Sequence, residues 1–178
     1  MKYKTFIKSL LTASAFMLVY ACTDKKAADF KEVLAKKESQ ATDMLLSEKG
    51  LESAKLNYLI AYDYPKALNI IDKEEIEFNN IIKDIEKVNT AGISKGQEIQ
   101  QAEINYYTAL KDLYIFSRKE IEQEKQTKEE KDEQKIRISL DKRYELALEK
   151  QKLYQKVYKA DEQRFSAQKQ FESENNLK

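Results

Sequence analysis

The chain has few of the residues that build catalytic sites, metal sites and tight turns. It contains no histidine, which excludes histidine-based triads, histidine metal ligands and histidine acid–base chemistry. Its single cysteine cannot form an internal disulfide or a cysteine-cluster zinc site. Three glycines and one proline in 178 residues are too few turn formers for a many-stranded sandwich or barrel. These absences leave a helical, non-metal protein as the natural expectation.

The charge is high but balanced, and no motif of a known chemistry accompanies it. Basic residues number 32 and acidic residues 31, which argues against nucleic acid, a ligand that favours a concentrated basic surface. Phosphate-binding glycine loops, G-x-S-x-G turns and calcium loops are absent from the sequence. Adjacent acidic pairs such as Glu74-Glu75 diverge on a helix. We therefore predict no enzyme activity, cofactor, metal or evident small-molecule substrate.

The first twenty-two residues have the order of an export signal. Three lysines within the first eight residues precede a mostly apolar run over residues 9–21. This run is shorter than the ~18–20 apolar residues that span a bilayer as a helix. The only cysteine, Cys22, follows directly. The sequence Val19-Tyr20-Ala21-Cys22 resembles the lipobox of bacterial lipoproteins.

The resemblance implies a processed and lipid-anchored protein. Residues 1–21 would be a signal peptide, and the Cys22 thiol would carry a diacylglycerol at the new N-terminus. Two or more acyl chains hold a protein firmly in a membrane, because each buried methylene contributes ~0.8 kcal/mol to the binding free energy. Residues 22–26 would be the anchor and a short tether, and residues 27–178 a single helical domain. An ordinary secretory signal with a chance cysteine, or a short membrane anchor, is the alternative.

The residues after the cysteine bear on localisation. Thr23 stands where an aspartate would resemble an inner-membrane retention signal. The segment Thr23-Asp24-Lys25-Lys26 also lacks the acidic cluster that resembles a surface-export tag of some lipoproteins. The mature chain would hold 29 basic and 31 acidic residues. We therefore predict an envelope protein that is anchored in the outer membrane and faces the periplasm.

Good helix formers dominate the rest of the chain, and apolar residues recur every three or four positions. Four segments follow, at about 24–49, 51–89, 96–121 and 136–174, with a turn around Gly92 and Gly96. Gly50 either ends the first segment or lies within a continuous helix, and Pro65 marks either a kink or a fresh start. Helices of ~50–60 Å predict an all-α fold, as an elongated antiparallel bundle or coiled-coil hairpin.

Residues 122–135 interrupt the apolar pattern, because they include no apolar side chain. We predict that they lie outside the core. Without glycine or proline to end a helix, we expect a long helix to continue through them. An exposed reversal of the chain is the alternative.

Tyrosine is the one compositional excess, and nine of the eleven tyrosines follow the leader. Tyrosine suits half-buried positions in a thin bundle, and it also favours binding surfaces. The second interpretation predicts a partner surface formed by Tyr62, Tyr64, Tyr107, Tyr114 and Arg118. We thus expect a lipid-anchored envelope protein with a structural or interaction role, whose long helices pair with themselves or with another protein. A client- or ligand-binding periplasmic protein, or an immunity-type inhibitor, is the alternative.

Overall fold

The computed structural model describes the backbone of residues 3–177 and the side chains of residues 25–177. The described backbone is mostly helical and includes no strand, which confirms the all-α prediction. The six helices are α1 (Tyr3–Leu46), α2 (Leu51–Ile60), α3 (Tyr64–Glu86), α4 (Gly96–Ile115), α5 (Ser117–Glu129) and α6 (Glu133–Glu174).

These helices form the four arms of an elongated antiparallel bundle. The first arm is α1 with α2, the second is α3, the third is α4 with α5, and the fourth is α6. Each arm packs antiparallel to the next, since side-chain contacts run in opposite directions along each pair. Between α1 and α3, Lys37 contacts Asp84 and Gln40 contacts Glu77. Between α4 and α3, Gln100 contacts Ile85 and Lys111 contacts Asn79, and between α6 and α4, Lys156 contacts Asp112 and Arg164 contacts Glu103. With 42 residues, α6 is about 63 Å long at 1.5 Å per residue.

The core runs the length of the bundle and is centred on α3. Apolar residues that recur at three- and four-residue spacing form the inner face of α3, where Ile71, Phe78, Ile81 and Ile85 are fully buried. Each such side chain contributes roughly 1.5–3 kcal/mol by leaving water. Three clusters follow one another along the axis: Ala27, Phe30, Ile93, Ile99 and Phe171; then Ala41, Met44, Phe78, Ile81, Ile85, Tyr107 and Leu110; then Tyr64, Ala67, Ile71 and Ile121.

The two ends of the bundle differ. One end holds residue 27, the predicted turn between α3 and α4, and the C-terminus. There Asn175 Nδ2 donates to the carbonyl oxygen of Ser94 at 2.8 Å, and Gly92 adopts a φ of 80°. The chain reverses at residues 61–63 and 130–132 at the other end, where Lys128 Nζ lies over the ring of Tyr62. The first will be called the tether end and the second the far end.

Gly50 separates α1 from α2, so the continuous helix considered as an alternative is wrong. A Cβ at Gly50 would lie 2.5 Å from the carbonyl oxygen of Met44 and 2.6 Å from that of Asp43. Neither backbone atom can move without unwinding the end of α1. The break between α1 and α2, called the kink below, therefore requires glycine at this position.

Pro65 begins a fresh helix. Asp63 Oδ1 accepts from the backbone N–H of Lys66 at 3.2 Å and so caps α3, while Pro65 occupies the first turn, where a missing N–H is tolerated. Tyr62, with a φ of 57°, reverses the chain just before it. The segment predicted over 51–89 is consequently two helices, α2 and α3, packed against each other.

The long helix expected through residues 122–135 is wrong, and the exposed reversal is correct. Glu130 Oε1 accepts from the backbone N–H groups of Lys131 and Asp132, and Asp132 Oδ1 accepts from those of Gln134 and Lys135. These carboxylates end one helix and cap the next, which glycine and proline would otherwise do. No side chain in the segment is buried, which confirms that it lies outside the core.

Candidate docking groove

A groove opens where the first arm and α6 separate. Toward the tether end, ion pairs connect α1 with α6: Lys31 lies 3.0 Å from Glu172, and Arg164 lies 3.6 Å from Glu38. Beyond Gly50, α2 packs on α3 instead. This leaves a cavity of about 620 Å³ between α2 and α6, above α4 and α5. A smaller cavity of about 210 Å³ beside α1 shares Tyr114 with it.

The lining of the larger cavity is half apolar and half polar, with balanced charges. Three acidic and three basic side chains take part, and Lys150 Nζ donates to Glu120 at 2.6 Å within it. The surface therefore combines hydrophobic contact area with polar groups of both signs. Its apolar and aromatic members are Leu59, Leu113, Tyr114, Ile121, Leu146, Ala147 and Tyr154.

An ionic cluster holds the α2 wall of the groove. Lys55 is the only buried residue of α2, and its Nζ donates to Glu74 Oε2 at 2.9 Å and to Ser117 Oγ at 3.4 Å. It also donates to the carboxylate of Glu52. Glu74 is 0% exposed, and its Oε1 has no hydrogen-bond partner among the described residues. Burial raises the pKa of Glu74 to about 7, although the Lys55 ammonium opposes the rise.

With this cluster, α2 has the reverse of the usual burial pattern. A surface helix normally buries leucines and exposes lysines, whereas α2 buries Lys55 and leaves Leu56 57% and Ile60 68% exposed. Buried ion pairs give little net stability, because desolvation offsets the attraction. The contact between Lys55 and Glu74 nevertheless joins α2 to α3 through the one buried position of α2.

The opposite wall, α6, carries a line of exposed apolar side chains. Each is between 43% and 68% exposed, and at 100° per residue all lie on one side of the helix, away from the buried Leu146, Ala160 and Phe171. Tyr154 belongs both to this line and to the groove. The line covers 25 residue steps, or about 38 Å. We call it the α6 stripe, and its members are Leu140, Tyr144, Leu148, Tyr154, Tyr158 and Phe165.

A second buried carboxylate lies between the groove and the tether end. Glu103 on α4 is 4% exposed, and its nearest cation is Arg164, whose Nη1 is 3.9 Å from Oε1. Arg164 Cζ also lies 4.3 Å from the ring centre of Tyr106. Burial raises the pKa of Glu103 to about 7, and the guanidinium opposes this only in part.

The five residues predicted as a partner surface do not share one surface. Tyr64 and Tyr107 are buried in the core, where burial raises the pKa of both hydroxyls. Tyr62 is exposed at the far end, with its ring centre 6.5 Å from that of Tyr64. Tyr114 lines the groove, and burial raises its pKa to about 12. Arg118 Nη2 donates to Asp72 on α3 at 2.5 Å.

Metal sites and membrane-spanning helices can be addressed only for the residues that the structure describes. Within the described residues, no group of three or more histidine, cysteine, aspartate or glutamate side chains is placed to hold a metal ion. The described helices also include none with the length and hydropathy to cross a membrane. Cys22 and the predicted signal peptide lie outside the residues whose side chains are described.

Comparison with known proteins found no matching family model, no similar curated protein and no similar solved structure.

Proposed function

We propose that this chain is a lipid-anchored protein of the cell envelope that binds another protein through the groove and the α6 stripe. The stripe is the observation that supports the proposal. Six large apolar side chains exposed along one side of a single helix are more than the scattered ones that monomeric proteins usually expose, and such surfaces mark interaction sites. Three of its six members are tyrosines, which are enriched at interfaces.

The position of the tether supports the same function. Residues 22–26 reach at most about 18 Å when fully extended, so an acylated Cys22 would hold the tether end close to the membrane. On α6, the groove lies 17 to 28 residues before Phe171, which is about 25–40 Å farther out. An outer-membrane anchor facing the periplasm would thus present the groove to soluble or membrane-bound partners.

The anchor is tested by metabolic labelling with palmitate and by mass spectrometry of the mature protein. Cys22→Ser should abolish labelling and leave an unprocessed or released protein, while circular dichroism shows the helical content unchanged. An unmodified Cys22 in the mature wild-type protein would rule out the anchor.

The docking surface is tested in cells with a photo-crosslinking amino acid at Tyr158, compared with the same group at Lys73, an exposed position on α3. We expect a defined protein adduct from position 158 that Tyr144→Glu strongly reduces. Since Tyr144 is exposed, this variant should keep the fold. Equal adducts from both positions, or adducts that Tyr144→Glu leaves unchanged, would contradict an interaction role for the stripe.

Ligand binding is a second candidate, and the groove itself favours it. Its volume of about 620 Å³ lies within the ~300–1,000 Å³ of small-molecule sites, and its mixture of apolar and paired charged groups is typical of them. Native mass spectrometry of the protein from its own envelope distinguishes the two. A bound small molecule that depends on Tyr114 would favour the ligand binder.

A further inference from the structure

We infer that α2 is a movable wall of the groove, hinged at Gly50 and Tyr62, which swings away from α3 when the Glu74 carboxyl loses its proton. This inference goes beyond the proposed interaction function, because it concerns how the groove opens rather than what enters it. Two features of the structure support it, the way α2 is connected at its ends and the way it is held in its middle.

Both ends of α2 can turn without unwinding the neighbouring helices. Gly50 precedes α2 with extended backbone angles, φ −71° and ψ 168°, and α1 has already ended at Leu46. Tyr62 follows α2 with a φ of 57°, a left-handed conformation that is strained for an aromatic residue. Asp63 then caps α3 with its own carboxylate. Hinge motions are absorbed by a few residues at such helix ends.

The middle of α2 is held through one buried side chain. Lys55 is 4% exposed, whereas Tyr58 and Leu59, which pack against the core, are only half-buried. Leu56 and Ile60 face water. The free energy gained from packing grows with the apolar area that is buried, so α2 gains less than α3, which has eight buried residues. Detaching α2 should therefore cost less free energy than unfolding the bundle.

The group beneath α2 makes this attachment depend on a proton. Glu74 is fully buried; its Oε2 accepts from Lys55, and its Oε1 has no hydrogen-bond partner among the described residues. When ionised, Glu74 is a buried anion whose one cation is shared with the carboxylate of Glu52. Moving α2 away would give Glu74 access to water, which stabilises the ionised form far better than the core does. Loss of the proton thus favours release of α2.

The groups that face Glu74 come from three helices, and one of them is a cation. Charged contacts on the neighbouring turns of α3 are directed elsewhere, since Glu77 accepts from Gln40 of α1, and Asp72 accepts from Arg118 of α5. The charged, titratable or hydroxyl side chains that face Glu74 are Lys55 and Glu52 of α2, Tyr114 of α4 and Ser117 of α5.

The size of the effect follows from proton linkage. With α2 in place, burial raises the pKa of Glu74 from 4.5 to about 7; with α2 released, the pKa should return toward the ordinary value. The closed state therefore binds the proton more tightly than the open state does, so opening becomes more favourable as pH rises from about 4.5 to 7. From these two pKa values, the ratio of open to closed molecules should rise about 70-fold between pH 5 and pH 8.

The test is hydrogen exchange of the full chain, followed by mass spectrometry at pH 5, 6, 7 and 8 and corrected for the intrinsic pH dependence of amide exchange. Protection of the amides in residues 51–61 measures the opening of α2. We expect this protection to fall about 70-fold from pH 5 to pH 8. In Glu74→Gln, which has no proton to lose, the fall should disappear. Constant protection in the wild type, or an equal fall in Glu74→Gln, would overturn the inference.

Two further variants separate local opening from unfolding of the whole bundle. Glu103→Gln removes a buried carboxyl that does not contact α2 and should leave the fall unchanged; a smaller fall would mean that α2 exchanges only when the bundle unfolds, and the inference would be wrong. Lys55→Met should make the fall larger, because the closed state then holds the Glu74 proton more tightly. This variant also tests the inference if circular dichroism shows that Glu74→Gln does not fold, since an unchanged or smaller fall would contradict it.

Discussion

The buried carboxylate of Glu103 makes the stability of the bundle depend on pH in an unusual direction. A carboxylate held by hydrogen bonds on the surface has its pKa lowered, as at Glu98, where a backbone N–H and then the Lys95 ammonium stabilise the charged form. Burial instead raises the pKa of Glu103 from 4.5 to about 7. The folded state therefore binds this proton more tightly than the unfolded chain does, so the free energy of unfolding should fall as pH rises from about 4.5 to 7.

The size of the effect follows from the two pKa values. Each tenfold change in proton affinity corresponds to about 1.4 kcal/mol, so the difference between 4.5 and about 7 is roughly 3 kcal/mol. Solvent screening reduces this free-energy difference little, because Glu103 is only 4% exposed. Arg164, at 3.9 Å, prevents a larger rise.

Glu103→Gln removes this titration while keeping the shape of the side chain. Urea unfolding followed by circular dichroism at pH 5, 6, 7 and 8 gives the difference in unfolding free energy between variant and wild type. We expect this difference to shift in favour of the variant by about 3 kcal/mol from pH 5 to pH 8. Glu98→Gln, on the exposed side of the same helix, is the matched control and should show no such trend. A constant difference for Glu103→Gln, or a trend of opposite sign, would refute the reasoning.

Three further predictions concern the α2 wall, the kink and the far end. Lys55→Met leaves the Glu74 carboxylate buried without its cation, so it should lower the free energy of unfolding by about 3–5 kcal/mol at pH 8. The loss should be much smaller at pH 5, where that carboxyl is protonated. Adding Glu74→Leu should recover most of the loss in urea unfolding. Gly50→Ala should lower the unfolding free energy by at least about 1 kcal/mol in thermal melts, since its Cβ would meet backbone oxygens, and an unchanged melting temperature would contradict the required kink. Amides of residues 122–135 should exchange with solvent far faster than those of residues 68–88 by mass spectrometry; comparable protection would mean that a partner or second subunit covers them.

The arms of the bundle follow from apolar periodicity because each long helix buries one side along most of its length. The recurrence of apolar residues is regular over α3, and Phe78 and Ile81, which follow it, are fully buried. Helix ends are harder to predict when no breaker marks them. The reversal before α6 depends on side-chain caps at Glu130 and Asp132, and such carboxylates occur throughout a chain that is 35% charged.

The groove was less predictable, since its walls meet only in three dimensions. Glu74 and Lys55 are 19 positions apart, and no local pattern pairs them. A signal was nevertheless present. Lys55 falls in phase with Leu51 and Leu59, and Glu74 falls in phase with Phe78 and its neighbours, so each places a charge on an apolar face. Charges of opposite sign on the inner faces of consecutive helices indicate a buried pair.

Two departures from ordinary burial meet at the groove. Exposed apolar residues are common and usually scattered, as Ile76 is on α3. The inward Lys55 and Tyr154 of the α6 stripe instead line the same groove, and the outward Leu56 and Ile60 share the short helix α2 with Lys55. Buried charges and exposed large apolar side chains that occur together are typical of functional sites, because folding alone would favour burying the apolar ones. The energetic cost of leaving them in water is therefore the strongest structural reason to look for the partner on this side of the bundle.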